Sequence, residues 1–103
     1  MRVSVAIPTF EYYGRGVEVL DDMLRTISYQ TIKNVEVVIS DHSKNDDIEN
    51  YCNENEYNLN IKYLRNENDR GNPAINTNNA IDNCVGEIIK VLLSLTLLAI
   101  NTS

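Results

Sequence analysis

The residues with the greatest chemical potential stand directly after runs of β-branched residues. Asp41 follows the apolar run VEVVIS, and Thr9, Phe10 and Glu11 follow the run VSVAI and Pro8. A carboxylate at such a place can accept hydrogen bonds from a base N–H or from ribose hydroxyls. An aromatic ring beside it can stack on the base. These residue types therefore suit the binding of a nucleotide.

The same residues also have structural interpretations. Asp41 can cap the following helix or fill a turn, as aspartate commonly does, and Phe10 can turn into the core. His42 is the single histidine of the chain, and a lone histidine beside an aspartate favours a solvated or turn position over an acid–base role. The acidic run 45–47 suits the start of a helix, where the macrodipole favours negative charge.

The strands that must position these residues can be read from the apolar runs. The run VSVAI predicts a first strand that Pro8 stops, and VEVVIS predicts a second strand that is buried on both faces. The shorter, alternating run IKYLR predicts a less buried third strand, and EIIKVLLSL predicts a fourth strand that is buried.

Three helices separate these strands. Val17, Leu20, Leu24 and Ile27 recur at helical spacing and predict an amphipathic helix ending near Tyr29. Ser43 or Asn45 can cap a short second helix that carries Ile48, Tyr51 and Cys52 on one face.

The third helix has the clearest boundaries. Asn72 and Pro73 predict its start, with asparagine as the cap and proline in the first turn. The predicted helical stripe then consists of Ile75, Asn78, Ile81 and Val85, and Gly86 is expected to end the helix.

The order β-α-β-α-β-α-β predicts an α/β fold, a Rossmann-like three-layer sandwich with a mainly parallel sheet and right-handed crossovers. Ligands of such sheets bind beyond the carboxyl ends of the strands. The segments PTFE (8–11) and SDHS (40–43) and the loop 66–72 are therefore expected on one rim. Gly14 and Gly16 give only Gly-x-Gly, outside the context that a dinucleotide fingerprint requires.

Composition limits the classes of function. The 103 residues suit one domain, and the net charge of −6 argues against unaided binding to nucleic acid. Cys52 and Cys84 lack metal-ligand spacing and are expected to be free thiols in a reducing compartment. The amino terminus has no signal-peptide pattern, and the apolar run 88–100 is shorter than a membrane span. We therefore expect a cytoplasmic protein.

Four motifs in order resemble the family 2 glycosyltransferases of GT-A fold. They are VSVAIPTF, TISYQT, VEVVISDHS and NTNNAIDNCVGEII, and together they extend the resemblance over residues 3–91. The family pattern has a strand closing in Pro-x-Tyr-Asn, a helix ending in Ser-x-x-x-Gln-Thr, a strand closing in Val-Asp-Asp-x-Ser, and an Asn-rich helix running into Gly-Glu-Tyr-Ile. The resemblance implies a nucleotide-sugar donor of UDP or GDP type.

Matching motif to motif implies roles for particular residues. The resemblance implies that residues at three places in the chain bind the nucleotide sugar: Pro8, Thr9, Phe10, Glu11, Asp41 and Asn78. His42 stands in place of the family's second acidic residue, and Thr77 stands where many relatives have Arg or Lys.

The largest departure from the family lies in the last residues. Relatives carry an Asp-x-Asp-type motif just after the fourth strand, which holds a divalent metal (Mn²⁺ or Mg²⁺), and their catalytic base comes later still. Beyond Glu87 this chain has no Asp or Glu, and residues 92–103 match nothing in the family pattern. We therefore expect a single truncated nucleotide-sugar-binding domain over 1–103, with no cofactor bound by this chain alone.

Three functions follow as hypotheses. The first is a glycosyltransferase that transfers a sugar from a nucleotide sugar to an acceptor. The second is a non-catalytic module that binds a nucleotide weakly or serves as a partner for another chain. The third, a receiver-like or flavodoxin-like signalling domain, is disfavoured because Pro8 and Thr9 occupy the place of the receiver's acidic pair. The Leu-rich end of the chain further predicts exposed apolar surface and self-association.

Overall fold

The computed structural model describes residues 2–11, 13–30, 34–68 and 71–93. Strands and helices alternate along the chain in the predicted order, as β1 (Val3–Thr9), α1 (Arg15–Ser28), β2 (Val35–Asp41), α2 (Asp47–Glu54), β3 (Asn60–Arg65), α3 (Pro73–Asp82) and β4 (Ile88–Val91). The four strands form one sheet in the order β3-β2-β1-β4. All three neighbouring pairs are parallel, which confirms the predicted fold class.

Helices cover both faces of the sheet, as a three-layer sandwich requires. Alternate residues of the central strands, Val5, Ile7, Val37 and Ile39, join the apolar core beneath α1 and α2. Leu20 of α1 lies in this core, where it is 1% exposed. The residues between them on β1 and β2 face α3, whose Asn76 bonds to Ser40. The two strands are therefore buried on both sides, which explains their unbroken apolar sequence.

Proline does not end the first strand. β1 continues through Pro8 to Thr9, which pairs with Asp41, so the predicted end at Ile7 was wrong. The Thr9 carbonyl accepts from the His42 N–H, so the backbone of Pro8 faces the opposite side, toward β4. There β4 ends at Val91, opposite Ala6. Since none of the described strands pairs with Pro8 on that side, its missing N–H costs these strands no hydrogen bond.

The second helix begins later than the sequence indicated. The N-cap residue is Asp46, and the Ser43 hydroxyl instead accepts from the Glu11 N–H at 2.7 Å. The Asn45 side chain does accept from the Asp47 N–H at 3.2 Å. Ser43 was therefore wrong as the cap, because its hydroxyl ties β1 to β2.

The third helix starts where it was predicted but faces the sheet differently. The Asn72 side chain accepts from the N–H groups of Ala74 and Ile75 at 3.1 and 3.3 Å, and Pro73 lies in the first turn. The buried residues are Asn76 and Ala80, not the predicted stripe. The face of α3 that lies on the sheet was predicted wrongly, because it carries the polar residue Asn76 and the small residue Ala80 in place of large apolar side chains.

Gly86 lies beyond the third helix, which ends at Asp82. A Cβ at Gly86 would lie 2.7 Å from the Ser4 nitrogen. The Gly86 N–H donates to the Ser4 hydroxyl at 2.8 Å. The predicted helix-ending role was therefore wrong. The residue is glycine because the chain passes against β1 before it enters β4.

Both edge strands are less buried than the central pair. β3 consists of exposed and half-buried residues, so it is less buried than the central strands, as predicted. β4 was predicted as a buried strand but is exposed over its whole length, because β1 is its one partner among the described strands. Apolar side chains are 39–57% exposed at Val85, Ile88, Ile89, Val91 and Leu93. This confirms the expected apolar surface, whereas self-association through it stays a prediction that sedimentation at several concentrations would test.

A hydrogen-bonded glutamate links β2 to the segment that leads into β4. Glu36 Oε2 accepts from the Ser4 hydroxyl at 2.7 Å and from the Val85 N–H at 3.1 Å. The Ser4 hydroxyl bond, followed by the Val85 N–H, lowers the pKa of Glu36 below its usual value. The charged form of Glu36 therefore stabilises the fold.

This pKa shift predicts acid sensitivity. A carboxyl with a lowered folded pKa stabilises the protein fully above its unfolded pKa, about 4.3 for glutamate, and loses that contribution as the pH falls through the folded pKa. Urea unfolding between about pH 3 and pH 7 should show this loss at the acidic end. Glu36→Gln should flatten the profile, whereas Glu18→Gln, at an exposed position of α1, should leave it unchanged. Identical profiles for both variants would contradict the assignment.

Both cysteines are free, as predicted; Cys52 is buried and Cys84 is half-buried. Burial raises the pKa of the Cys52 thiol to about 12, so this thiol is protonated at neutral pH. Across the described ranges, the structure contains no helix with the length and apolar character needed to cross a bilayer.

Candidate functional site

A cleft of about 710 Å³ opens at the carboxyl ends of β1 and β2. This volume falls in the range of small-molecule sites, and the position is where parallel sheets bind ligands. Three segments and one further residue line it: Pro8, Thr9, Phe10, Glu11, His42, Ser43, Lys44, Asn45, Gly71, Pro73, Ala74, Asn76, Thr77 and Leu93. Of the predicted rim, residues 8–11, His42, Ser43 and Gly71 lie on the cavity wall.

The end of β1 supplies the cleft with its aromatic ring. Pro8 and Thr9 are buried, and Phe10 follows them with 48% of its surface exposed. The predicted alternative in which Phe10 points into the core was wrong. The ring lies on the cleft wall because β1 ends at Thr9 and the chain turns there toward α1.

Glu11 lines the cleft, but its carboxylate is used within the protein. Oε1 accepts from the Val17 N–H at 2.9 Å, and Oε2 accepts from the Gly14 N–H at 2.5 Å. Gly14 is the N-cap residue of α1, and it provides no side chain that could accept a capping hydrogen bond. The carboxylate therefore satisfies free N–H groups of the first turn, where the helix dipole favours negative charge.

Asp41 lies at the predicted end of β2 and is fully buried. Its Oδ1 accepts from the Ser43 N–H at 2.9 Å, and its Oδ2 accepts from the Tyr63 hydroxyl at 2.5 Å. Burial, followed by the bond to Asp41, raises the pKa of Tyr63. The side chain shapes the turn 41–43 beneath the cleft and does not line it.

His42 is not a solvated residue, so that part of the sequence-based interpretation was wrong, whereas its position in the turn 41–43 agrees with the other part. It is 7% exposed and lines the cleft. Its backbone N–H donates to the Thr9 carbonyl at 2.9 Å, and its ring Nε2 lies 2.9 Å from the Asn68 carbonyl oxygen. The ring is held in place because β2, β1 and the segment after β3 all contact this residue.

Asn76 is the site residue that sequence reasoning missed. Its Oδ1 accepts from the Ser40 hydroxyl at 2.7 Å, and its Nδ2 donates to the carbonyls of Ser40 at 3.0 Å and Thr9 at 3.4 Å. It is 3% exposed and lines the cleft. One signal was available, since Asn76 and Ala80 are one helical turn apart and small enough to approach a sheet.

The structure does not bring Asn78 to the cleft. Asn78 is exposed on α3 and is absent from the cavity wall. Thr77 does line the cleft, and its hydroxyl donates to the Pro73 carbonyl within the helix. The residues brought together are thus Pro8, Thr9, Phe10 and Glu11, with Asp41 directly beneath them.

The donor set around the cleft does not fit a divalent cation. Mg²⁺ and Mn²⁺ prefer several carboxylate oxygens, yet Glu11 holds α1 and Asp41 holds Ser43 and Tyr63. In the part of the chain that the structure describes, no three His, Cys, Asp or Glu side chains are grouped to hold a metal ion. Residues 94–103, in the region for which the resemblance predicts that the family's metal-binding motif is missing, lie outside the described residues.

Comparison with known proteins places this fold and cleft in a family. Residues 4–92 match Glycosyl transferase family 2. The chain is 33% identical over 92 residues to the GalNAc(5)-diNAcBac-PP-undecaprenol beta-1,3-glucosyltransferase of Campylobacter jejuni, covering 88% of this chain and 28% of that protein.

Solved structures agree on the fold. S. aureus TarS 1-349 superposes with a TM-score of 0.74 at 23% identity, covering 99% of this chain and 32% of that one. The complex of TarS 1-349 with UDP-GlcNAc gives a TM-score of 0.73 at 22% identity, covering 99% and 30%. The chain thus spans about a third, or less, of the length of these relatives. The match over residues 4–92 shows that this chain belongs to glycosyl transferase family 2.

Proposed function

We propose that the cleft binds the nucleotide part of a nucleotide-sugar donor whose sugar is transferred to an acceptor. The observation that carries this proposal is the cavity at the carboxyl ends of β1 and β2, of a size that suits such a ligand. Family membership supports it, as do the TarS structures solved with UDP and with UDP-GlcNAc. A UDP-type donor is the form that these neighbours favour, with a GDP-type donor as the alternative.

The residues around the cleft divide into two proposed roles. Phe10 is exposed and is proposed to stack on the base, while Pro8 and Thr9 form the wall beside it. Glu11 and Asp41 are proposed to act indirectly, by positioning the cleft wall, because their carboxylates hold α1 and the turn 41–43 in place. A direct contact from Asn78 remains a proposal that would need the ligand to extend over the exposed side of α3.

The carboxylate bonds favour a second candidate, a nucleotide-binding module without a transfer step of its own. Both carboxylates at the cleft are already engaged by N–H and O–H donors of the protein. A chain of this kind would bind the nucleotide through Phe10 and backbone groups. The two candidates differ in how strongly binding depends on a divalent metal.

Calorimetric titration with UDP and GDP, each with and without Mn²⁺ or Mg²⁺, tests both candidates. We expect UDP to bind; a Kd that changes little when metal is added would favour the module, because the carboxylates at the cleft are already bonded. Affinity that rises steeply with metal would favour the catalytic candidate over the module. Absence of heat for every nucleotide under all conditions would contradict the proposed function.

Phe10→Ala should weaken UDP binding without unfolding the protein. Stacking of a base on an aromatic ring contributes about 1–3 kcal/mol, which corresponds to a rise in Kd of roughly fivefold to 150-fold. Tyr13→Ala is the matched control, because Tyr13 is 99% exposed and lies outside the cleft wall. Equal affinities of the two variants would show that the base does not stack on Phe10.

We also propose that the protein works in the cytoplasm. Both cysteines are unpaired, and burial keeps Cys52 protonated, which suits a reducing compartment. Fractionation of cells that express the chain, followed by detection of the protein in the soluble and membrane fractions, would test this proposal.

A further inference from the structure

Lys44 lies on the cleft wall between two neighbours that are bonded to distant segments of the chain. On one side the Ser43 hydroxyl accepts from the Glu11 N–H at 2.7 Å. On the other side the Asn45 carbonyl accepts at 2.8 Å from Nη2 of Arg65, the last residue of β3. The backbone of Lys44 is therefore held from both sides at the rim of the cleft.

Arg65 also pairs with acidic side chains that lie near Lys44 in the chain. Its Nη2 lies 2.9 Å from Asp46 Oδ1 and 3.4 Å from Glu49 Oε1, and the Arg65 side chain is 21% exposed. Asp46 and Glu49 stand at the start of α2, shortly after Lys44. Because the guanidinium offsets the charge of these carboxylates, they repel an anion at this wall less strongly.

The ammonium group of Lys44 has no partner within the protein. Among the described residues it forms no ion pair or hydrogen bond, and the side chain is exposed. It is also the one Lys or Arg on the described part of the cleft wall. The Glu11 carboxylate on the same wall is bonded to the first turn of α1. The cleft therefore presents a lysine charge that no described carboxylate offsets.

A helix end adds to the positive potential of the cleft. Pro73 and Ala74 lie in the first turn of α3 and line the cleft, and the amino end of a helix carries partial positive charge. The N–H groups of Ala74 and Ile75 already donate to the Asn72 side chain. The helix therefore contributes its dipole, whereas Lys44 can contact an anion directly.

We propose that Lys44 contacts the phosphates of the bound nucleotide, and that Arg65 is a positioning residue that holds Lys44 for this contact. This inference rests on the proposed nucleotide function of the cleft. Phosphate oxygens are charged acceptors, and lysine binds them as a point charge. Arg65 lies outside the cleft wall. It acts through the Asn45 carbonyl and through its pairing with the acidic side chains beside Lys44.

A comparison of UDP with uridine isolates the phosphates, because the two ligands share the base and the ribose. Lys44→Gln removes the charge at an exposed position, so the fold should be retained. Lys90→Gln is the matched control, because it makes the same charge change at an exposed position of β4 outside the cleft wall. Arg65→Gln removes the positioning group, and Arg65→Lys keeps its positive charge.

The experiment is calorimetric titration of each variant with UDP and with uridine in the presence of EDTA, accompanied by thermal unfolding. We expect the wild-type chain and Lys90→Gln to bind UDP at least about tenfold more tightly than uridine. Lys44→Gln should reduce this preference by about fivefold or more, at an unchanged affinity for uridine.

The Arg65 variants test whether this residue acts through Lys44. Arg65→Gln should reduce the preference for UDP and lower the Tm. Combining it with Lys44→Gln should reduce the preference no further than Lys44→Gln alone, since residues that act through one contact are not additive. Arg65→Lys provides a folded variant if Arg65→Gln unfolds, and its preference should lie between those of the wild-type chain and Lys44→Gln.

The outcomes distinguish this inference from the proposed function. Equal binding of UDP and uridine by the wild-type chain, or a preference that Lys44→Gln leaves intact, would overturn the phosphate contact. Folded Arg65 variants that keep the full preference at a lower Tm would show that Arg65 is only structural. In each of these cases, binding of uridine would still support the nucleotide site. Failure of the wild-type chain to bind either ligand would remove the proposed function itself.

Discussion

Replacement of Asn76 by alanine is expected to lower the free energy of unfolding by about 2 kcal/mol, because buried polar groups that lose their partners cost about 1–3 kcal/mol. Asn76 bonds to the Ser40 hydroxyl and to the carbonyls of Ser40 and Thr9. These bonds join α3 to the ends of both central strands, so the substitution should loosen the floor of the cleft. Urea denaturation measures the loss.

Asn78→Ala is the matched control for this prediction. It removes the same side chain from the same helix at an exposed position, where substitutions usually change stability by less than about 0.5 kcal/mol. Equal destabilisation by the two variants would contradict the structural role assigned to Asn76. A selective loss at Asn76, together with weaker UDP binding, would support it.

Gly16→Ala is expected to be destabilising although alanine is the better helix former. A Cβ at this position would lie 2.4 Å from the Phe10 carbonyl oxygen and 2.7 Å from the Glu11 Cα. Both are backbone atoms, so α1 or the end of β1 must move, at a cost of about 1–3 kcal/mol. The gain in helix propensity, about 1 kcal/mol, offsets only part of this cost.

The same substitution should also weaken nucleotide binding, because the displaced segment carries Phe10 and Glu11 into the cleft. Thermal unfolding and UDP titration of the variant measure the two effects. Arg15→Ala, at an exposed position of the same helical turn, should lower neither Tm nor affinity. A Gly16→Ala variant that is more stable than the wild-type chain would show that α1 does not pack closely on β1.

The order of elements was predictable because local signals carried it. The apolar runs of β1 and β2 and the Asn72–Pro73 start of α3 depend on neighbours in sequence. Errors arose where a distant partner decides the outcome. Pro8 stays within β1 because β4 ends early, and Gly86 is set by its contact with Ser4. The spacing of residue types along the chain shows neither the early end of β4 nor the contact of Gly86 with Ser4.

The site was predictable in position more than in chemistry. A parallel sheet places the ends of β1 and β2 on one rim, and the exposed Phe10 lies there. The turn role of Asp41, which bonds to the Ser43 N–H, was among the predicted alternatives. Its bond to Tyr63 and the bonds of Glu11 to α1 were not predicted. Asn76 was not predicted, because the sequence does not show which asparagine of the Asn-rich helix α3 faces the sheet.

The central claim is that a nucleotide occupies the cleft at the carboxyl ends of β1 and β2. Titration of the ¹⁵N-labelled chain with UDP, followed by amide chemical shifts, tests it most directly. UDP bound in this cleft should shift amides concentrated at 9–11, 42–45 and 71–77, the segments that supply the cleft wall. Shifts concentrated instead at the opposite end of the sheet, in the small cavity near Arg2, Asn34 and Gly86, or no shifts at saturating UDP, would contradict it.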